Sequence, residues 1–155
     1  LMSDEYSTPS TGENTKSWEF KCAFHARPID LYNAFTDARD IMRYTGAPAM
    51  VEPKVDGKFA YFGDSVQGKF IELEEGKKVV MAWKFKTWGK GVYSTIWIDL
   101  VEQREGFTHL HFKQEGIPER DEFGNRHQQE NTEAGWRDRI FMGIKQRLGY
   151  GMESL

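Results

Sequence analysis

The segment that determines the predicted fold is Asn131–Gly151, NTEAGWRDRIFMGIKQRLGYG. Its pattern predicts one long helix. Its large apolar side chains recur at every fourth residue, so one side of the helix carries an apolar stripe. We expect Asn131 to cap the start of this helix and Gly149 to end it in a left-handed conformation. A stripe of this size must pack against a sheet formed by the preceding residues. Its members are Trp136, Ile140, Ile144 and Leu148, with Phe141 beside them.

Six segments between Ala49 and Glu115 are predicted to be strands, and in the last three of them large apolar residues recur at every second position. Glycine-containing turns divide these segments, and connections this short favour antiparallel pairing. We therefore expect one antiparallel sheet in this part of the chain. The predicted strands are Ala49–Pro53, Lys58–Phe62, Val66–Glu74, Lys78–Lys86, Tyr93–Glu102 and Phe107–Glu115.

The residues before these segments predict one more strand and two short helices. Ser17–Phe24 alternates apolar and polar residues, which makes Cys22 a core thiol. Pro28 suits the first turn of a helix, and Asp37 begins a second helix that Gly46 ends. The full order is strand, two short helices, six strands and a long helix. It predicts an α+β domain whose curved antiparallel sheet wraps around the C-terminal helix.

The 155 residues are enough for one folded domain, which we place at residues 17–151. Leu1–Lys16 is polar and rich in Ser and Thr, so we expect a disordered tail or linker there, and residues 152–155 should form a second tail. Gly116–Glu130 is charged and lacks periodicity. Loops of that length are usually functional or mobile.

Composition excludes several classes of function. Asp and Glu number 24 against 21 for Lys and Arg, which argues against a general nucleic-acid binder. No apolar run approaches the roughly 20 residues of a membrane helix, and no signal peptide is visible. A single cysteine, Cys22, excludes an intramolecular disulfide. These features predict a cytoplasmic protein.

Several segments, in the expected order, closely resemble the C-terminal domain of the family of activators of the heat-shock protein 90 (Hsp90) ATPase. The resemblance implies the helix-grip fold of the START and Bet v 1-like superfamily, and a non-enzymatic co-chaperone without cofactors. Such a protein docks on Hsp90 and speeds its ATPase cycle. The segments are GKFAYFGDSVQGKFIEL (Gly57–Leu73), KKVVMAWKFKTW (Lys77–Trp88), VYSTIWIDL (Val92–Leu100) and GWRDRIFMGIKQRLGYG (Gly135–Gly151), with FTDARDI (Phe35–Ile41) also similar.

Full members of that family carry a separate N-terminal domain that supplies much of the docking to the chaperone. Nothing similar stands in these 155 residues, so the chain is either an excised domain or a naturally short homologue. We therefore expect weak binding and little stimulation of Hsp90 by this chain alone.

Catalytic and metal-binding patterns are weak. No catalytic triad, phosphate-binding loop or nucleophile elbow is present, so a hydrolase or cyclase is supported only by the chemistry of other helix-grip proteins. His109 and His111 share one face of a strand, a spacing that some zinc sites use. Asp99 and Trp97 are predicted to lie opposite them. Paired surface histidines without metal are far commoner, so we predict no metal site.

Two groups of aromatic residues are candidate sites. One group, which includes Trp88, Tyr93 and Trp97, is predicted to face outward with Lys84 nearby. Outward-facing aromatic residues suggest a surface that binds a protein partner, and ordinary cross-strand stacking is the alternative. An inward-facing group can line a cavity for a small hydrophobic ligand, which is the main alternative function, or it can fill the core, which we favour. The candidate partner-binding residues are Lys86, Trp88, Tyr93 and Trp97, and the candidate cavity-lining residues are Trp83, Phe85, Phe112, Trp136 and Phe141.

Overall fold

The computed structural model describes residues 15–155, and its strands form one antiparallel sheet in the order β2-β3-β4-β5-β6-β7-β1-β8. Every predicted strand is present, so the predicted α+β class and sheet are confirmed. Strands β3 to β7 follow one another along the chain and across the sheet. The strands are β1 (Thr15–Phe24), β2 (Ala49–Val51), β3 (Lys58–Tyr61), β4 (Val66–Glu74), β5 (Lys78–Phe85), β6 (Ser94–Arg104), β7 (Phe107–Pro118) and β8 (Met152–Ser154).

Two short helices connect β1 to β2, as predicted: α1 (Pro28–Thr36) and α2 (Ala38–Thr45). Asp37 separates them because its extended backbone ends α1. Its carboxylate then accepts a hydrogen bond from the Arg39 N–H at 2.8 Å, which caps the start of α2. The left-handed Gly46, at φ 69°, ends α2.

The C-terminal helix covers residues 128–147 in three consecutive parts: α3 (Gln128–Ala134), a π-helical segment (Gly135–Phe141) and α4 (Met142–Arg147). It begins earlier than predicted, because Asn131 already donates its N–H to the His127 carbonyl at 3.0 Å. The expectation that Asn131 caps the helix is therefore wrong. Gly149 has φ 77°, which confirms the predicted left-handed residue after the helix.

The apolar stripe of this helix packs against the inner face of the sheet. Trp136, Ile140 and Ile144 are each at most 3% exposed. The Trp136 ring centroid lies 4.7 Å from that of Phe112 on β7. Cys22 is fully buried on β1, and burial raises the pKa of its thiol to about 12, so it is the expected core thiol.

Helix α4 also packs closely on α2, at Gly143. A Cβ atom at Gly143 would lie 2.9 Å from the carbonyl oxygen of Tyr44. Tyr44 is itself fixed, because its hydroxyl donates to the Ala34 carbonyl at 2.7 Å. Gly143 therefore sets the distance between the two helices.

We predict that Gly143→Ala lowers the free energy of unfolding by about 1–3 kcal/mol, because backbone atoms cannot move aside as a flexible side chain could. Gly135→Ala in the same helix is the matched control, since a Cβ there meets nothing within 4 Å. That variant should be unchanged or up to about 1 kcal/mol more stable. Urea denaturation measures both, and equal losses would contradict the close approach at Gly143.

Both predicted tails differ from expectation where the structure describes them. Thr15 and Lys16 already belong to β1, whereas the rest of the predicted N-terminal tail lies outside the described residues. At the other end, β8 pairs with β1, and the His25 N–H donates to the Gly151 carbonyl at 2.7 Å. A strand of three residues is too short to show periodicity, which explains why the sequence did not predict β8.

None of the helices at residues 15–155 is long and apolar enough to cross a membrane.

Candidate docking surface and interior cleft

The four candidate partner-binding residues do not form one exposed surface. Trp88 is 1% exposed and Tyr93 is 8% exposed, so the expectation that both rings face solvent is wrong. Lys86 is exposed and Trp97 is partly exposed. A role for Lys86 and Trp97 in binding a partner stays a prediction.

Trp88 is buried because the chain folds back after β5. Its N–H donates to the Phe85 carbonyl at 3.0 Å, and its ring meets those of Trp83 and Phe85 edge-on. The indole Nε1 donates to Oε1 of Gln128, the first residue of α3, at 2.9 Å. Trp88 therefore ties the connection between β5 and β6 to the C-terminal helix.

Lys84, which the sequence placed beside the outward-facing aromatics, is also buried. It is 2% exposed, and its Nζ donates to the Gly89 carbonyl at 3.1 Å. The same Nζ lies 5.5 Å from the centroid of the Tyr93 ring, within cation–π distance. Lys84 and Tyr93 therefore stabilise the end of the hairpin rather than face solvent.

The charged loop at residues 119–127 is organised by one carboxylate. Asp121 Oδ1 accepts the N–H groups of Phe123 at 2.9 Å and Asn125 at 2.8 Å. Its Oδ2 accepts from the Asn125 side chain at 3.0 Å, and this hydrogen bond is the main reason that the pKa of Asp121 is lowered. The Glu122 N–H donates to the Thr87 carbonyl at 2.9 Å, so this loop is fastened to the β5–β6 connection.

The ordered loop presents Phe123 to solvent. Its side chain is 70% exposed, the highest value among the large apolar side chains that the structure describes. Sequence reasoning identified the loop but missed this residue. The signal was a lone aromatic residue between Asp121 and the turn residues Gly124 and Asn125. We use the term loop surface for four exposed side chains of the two joined loops: Lys86, Lys90, Val92 and Phe123. The charged loop also exposes Glu119, Arg120, Glu122 and Arg126.

The histidine pair lies on the outer face of β7. Asp99 stands opposite His111, as predicted, whereas Trp97 stands opposite Lys113. His111 Nε2 contacts the Glu19 carboxylate, and this hydrogen bond is the main cause that lowers the pKa of Glu19. Among residues 15–155, no group of three or more His, Cys, Asp or Glu side chains could hold a metal ion.

The candidate cavity-lining residues separate into two groups. Trp83, Phe85 and Trp136 line a cleft of about 520 Å³ between the C-terminal helix and the β4–β5 end of the sheet. Phe112 and Phe141 are buried and do not line this cleft; their ring centroids lie 5.7 Å apart in an edge-on contact. The interior is therefore filled at Phe112 and Phe141, as expected, whereas Trp83, Phe85 and Trp136 border a cleft.

Comparison with known sequences identifies relatives over most of the chain. Residues 25–149 match the family model of the Activator of Hsp90 ATPase homolog 1-like protein. The Activator of 90 kDa heat shock protein ATPase homolog 1 of Homo sapiens is 37% identical over 84% of this chain. The homologue of Dictyostelium discoideum is 33% identical over 93%, and the Hsp90 co-chaperone AHA1 of Saccharomyces cerevisiae is 28% identical over 97%. The chain spans 36–43% of the length of these three relatives.

Solved structures agree with this assignment. An HSP90 activator from Plasmodium falciparum superposes with a TM-score of 0.87 at 33% identity, covering 88% of this chain and 99% of that one. CalU16 from Micromonospora echinospora, at 17% identity and a TM-score of 0.64, shares the fold alone. The expectation of a non-enzymatic protein agrees with relatives named as activators and a co-chaperone. The chain belongs to the family of Activator of Hsp90 ATPase homolog 1-like proteins and has its helix-grip fold.

Proposed function

We propose that this chain binds Hsp90 as a co-chaperone and raises the rate at which Hsp90 hydrolyses ATP. The observation that carries this proposal is the match to a solved chain described as an HSP90 activator. That match covers 99% of the solved chain at 33% identity. Two further relatives, from Homo sapiens and Saccharomyces cerevisiae, are named for the same activity or partner.

The loop surface supplies the chemistry that such docking needs. An exposed aromatic ring on an ordered loop loses little conformational entropy on binding, and aromatic side chains are common interface anchors. Phe123 is such a ring. Lys86 and Lys90, on the connection to which the Glu122 N–H is bonded, add positive charge to the loop surface, which steers an acidic partner. Lys86 Nζ contacts Asp64 at 2.7 Å, whereas Lys90 forms no ion pair with any residue in the range 15–155.

Binding by this chain alone should be weak. The chain corresponds to little more than a third of the human relative, so other contacts of a full-length activator can lie outside it. Joining two binding regions in one chain commonly raises avidity by roughly 10²- to 10⁴-fold. We therefore expect the isolated chain to give little stimulation of the Hsp90 ATPase.

Titration of the Hsp90 ATPase with this chain, together with calorimetry at low salt and a non-hydrolysable ATP analogue, tests the proposal. We expect detectable but weak binding and a small rise in ATPase rate. Fusion to the part of the human relative that the chain does not match should strengthen binding by at least roughly 10²-fold. No detectable binding at low salt, with or without the nucleotide analogue, would reject the proposed partner.

A further inference from the structure

The cleft beside the C-terminal helix has the size and lining of a small-molecule site. Its volume of about 520 Å³ lies within the range of roughly 300–1,000 Å³ that ligand pockets occupy. Its walls are mostly aromatic and aliphatic, with Ser65, Asn131 and Thr132 as polar residues, and they come from the helix, from β4 and β5, and from the turns before β2 and β4. The large apolar residues of these walls are Phe62, Val66, Trp83, Phe85, Trp136 and Ile140.

Two indole N–H groups in this wall lack hydrogen-bond partners. Trp83 is 2% exposed and Trp136 is 1% exposed, and neither Nε1 has a partner among the described residues. A buried donor without a partner costs about 1–3 kcal/mol. The indoles of Trp18 and Trp88, by contrast, donate to Gln114 and Gln128 at 2.8 and 2.9 Å. The unpaired donors therefore belong to two residues that line the cleft.

The charged lining of the cleft is positive and comes from one arginine. Arg139 is the charged residue of the lining, and its guanidinium lies 4.6 Å from the centroid of the Phe62 ring. No carboxylate in the described part of the chain pairs with Arg139, and no Asp or Glu lines the cleft. A ligand with a carboxylate would thus meet a guanidinium at the rim, and Arg–carboxylate pairs are strong because both groups are charged.

The backbone around the cleft is unusual on two sides. Trp136, Arg139 and Ile140 lie in the π-helical segment, and π-helical turns occur frequently at functional sites. On the facing side, Phe62 has φ 55°, a conformation that a bulky residue adopts at an energetic cost. Both irregularities place side chains at the rim of the cleft.

We propose that this cleft binds a small aromatic carboxylate. The flat apolar part of the ligand packs between the aromatic walls, where offset or edge-on ring contacts are favourable. Its carboxylate pairs with Arg139 and accepts hydrogen bonds from the indole N–H groups of Trp136 or Trp83. This binding is independent of Hsp90, so its failure would leave the proposed co-chaperone function untouched.

Titration of 2-naphthoate into ¹⁵N-labelled protein tests this proposal through the indole N–H resonances, assigned with Trp83→Phe and Trp136→Phe. We expect saturable shifts of the Trp83 and Trp136 signals, whereas those of Trp18, Trp88 and Trp97, which do not line the cleft, stay in place. An absence of saturable shifts, or equal shifts at all five indoles, would overturn the site.

Two variants test the ligand chemistry. Arg139→Gln should weaken 2-naphthoate binding by roughly five- to tenfold and leave binding of the uncharged 2-naphthamide unchanged. Arg137→Gln is the matched control, because Arg137 pairs with Glu133 and does not line the cleft. Gly135→Leu places a side chain in open space at the cleft and should abolish binding without unfolding the protein. Unchanged affinity in Arg139→Gln, or in a folded Gly135→Leu variant, would contradict the proposed contacts.

Discussion

Trp136→Ala should lower the free energy of unfolding by about 3–5 kcal/mol, a large part of the roughly 5–15 kcal/mol that stabilises a typical domain. The indole is 1% exposed and lies where the helix, α1 and the sheet meet. Its ring centroid is 4.7 Å from Phe112, 5.6 Å from Phe141 and 6.3 Å from both Phe35 and Trp83. Truncation to alanine would leave a cavity bordered by all four rings.

Two variants separate lost packing from other causes. Met142→Ala changes a partly exposed residue of the same helix and should cost less than about 1 kcal/mol. Trp136→Phe keeps most of the packing and removes the unpaired N–H, so it should cost much less than Trp136→Ala. Urea denaturation with an unchanged m-value measures these differences. Equal shifts for Trp136→Ala and Met142→Ala would contradict the assigned buried face.

Periodicity predicted the elements that bury one continuous face. Trp136, Ile140 and Ile144 repeat every fourth residue, and the structure buries all three. The strands were predictable for the same reason, because buried residues such as Ile96, Ile98 and Leu100 alternate with the less buried Trp97 and Asp99. Asp37 and Gly46 marked helix ends through their own local chemistry, which requires no knowledge of distant residues.

Features that depend on distant residues were not predictable. Trp88 was predicted to face solvent, and its burial depends on Gln128, forty residues further along the chain. Strand β8 exists because β1 offers it an edge, and the three residues of β8 carry no pattern of their own. Phe123 lacks apolar neighbours in sequence, and its exposed position depends on the hydrogen bonds of Asp121 and on the contact of Glu122 with Thr87.

The same loop supplies the second large expected effect, on binding to Hsp90. Phe123→Ala should weaken binding by about 2 kcal/mol, roughly 30-fold, if Phe123 is an anchor of the interface. The melting temperature should barely change, because the side chain is 70% exposed and contributes little to the core. Asp121→Ala should give a smaller loss of affinity, since Phe123 stays but the loop becomes less ordered.

The matched control is Val101→Ala, which shortens another exposed apolar side chain, 56% exposed, at the opposite end of β6 from the loop surface. Val101→Ala should leave Hsp90 binding intact.

Lys86→Glu should slow association most strongly at low salt, because charges at the rim of an interface act mainly on the rate of encounter. Trp97→Ala tests the partly exposed aromatic residue on the outer face in the same way.

Trp88→Ala distinguishes a docking residue from a structural one. Because Trp88 is 1% exposed and hydrogen-bonded to Gln128, its loss should lower both the melting temperature and binding, whereas Phe123→Ala should lower binding alone. Calorimetry, ATPase titration and thermal melting of the same preparations separate the two patterns. Full binding by Phe123→Ala, or an equal loss in Val101→Ala, would place the Hsp90-binding surface elsewhere on the domain.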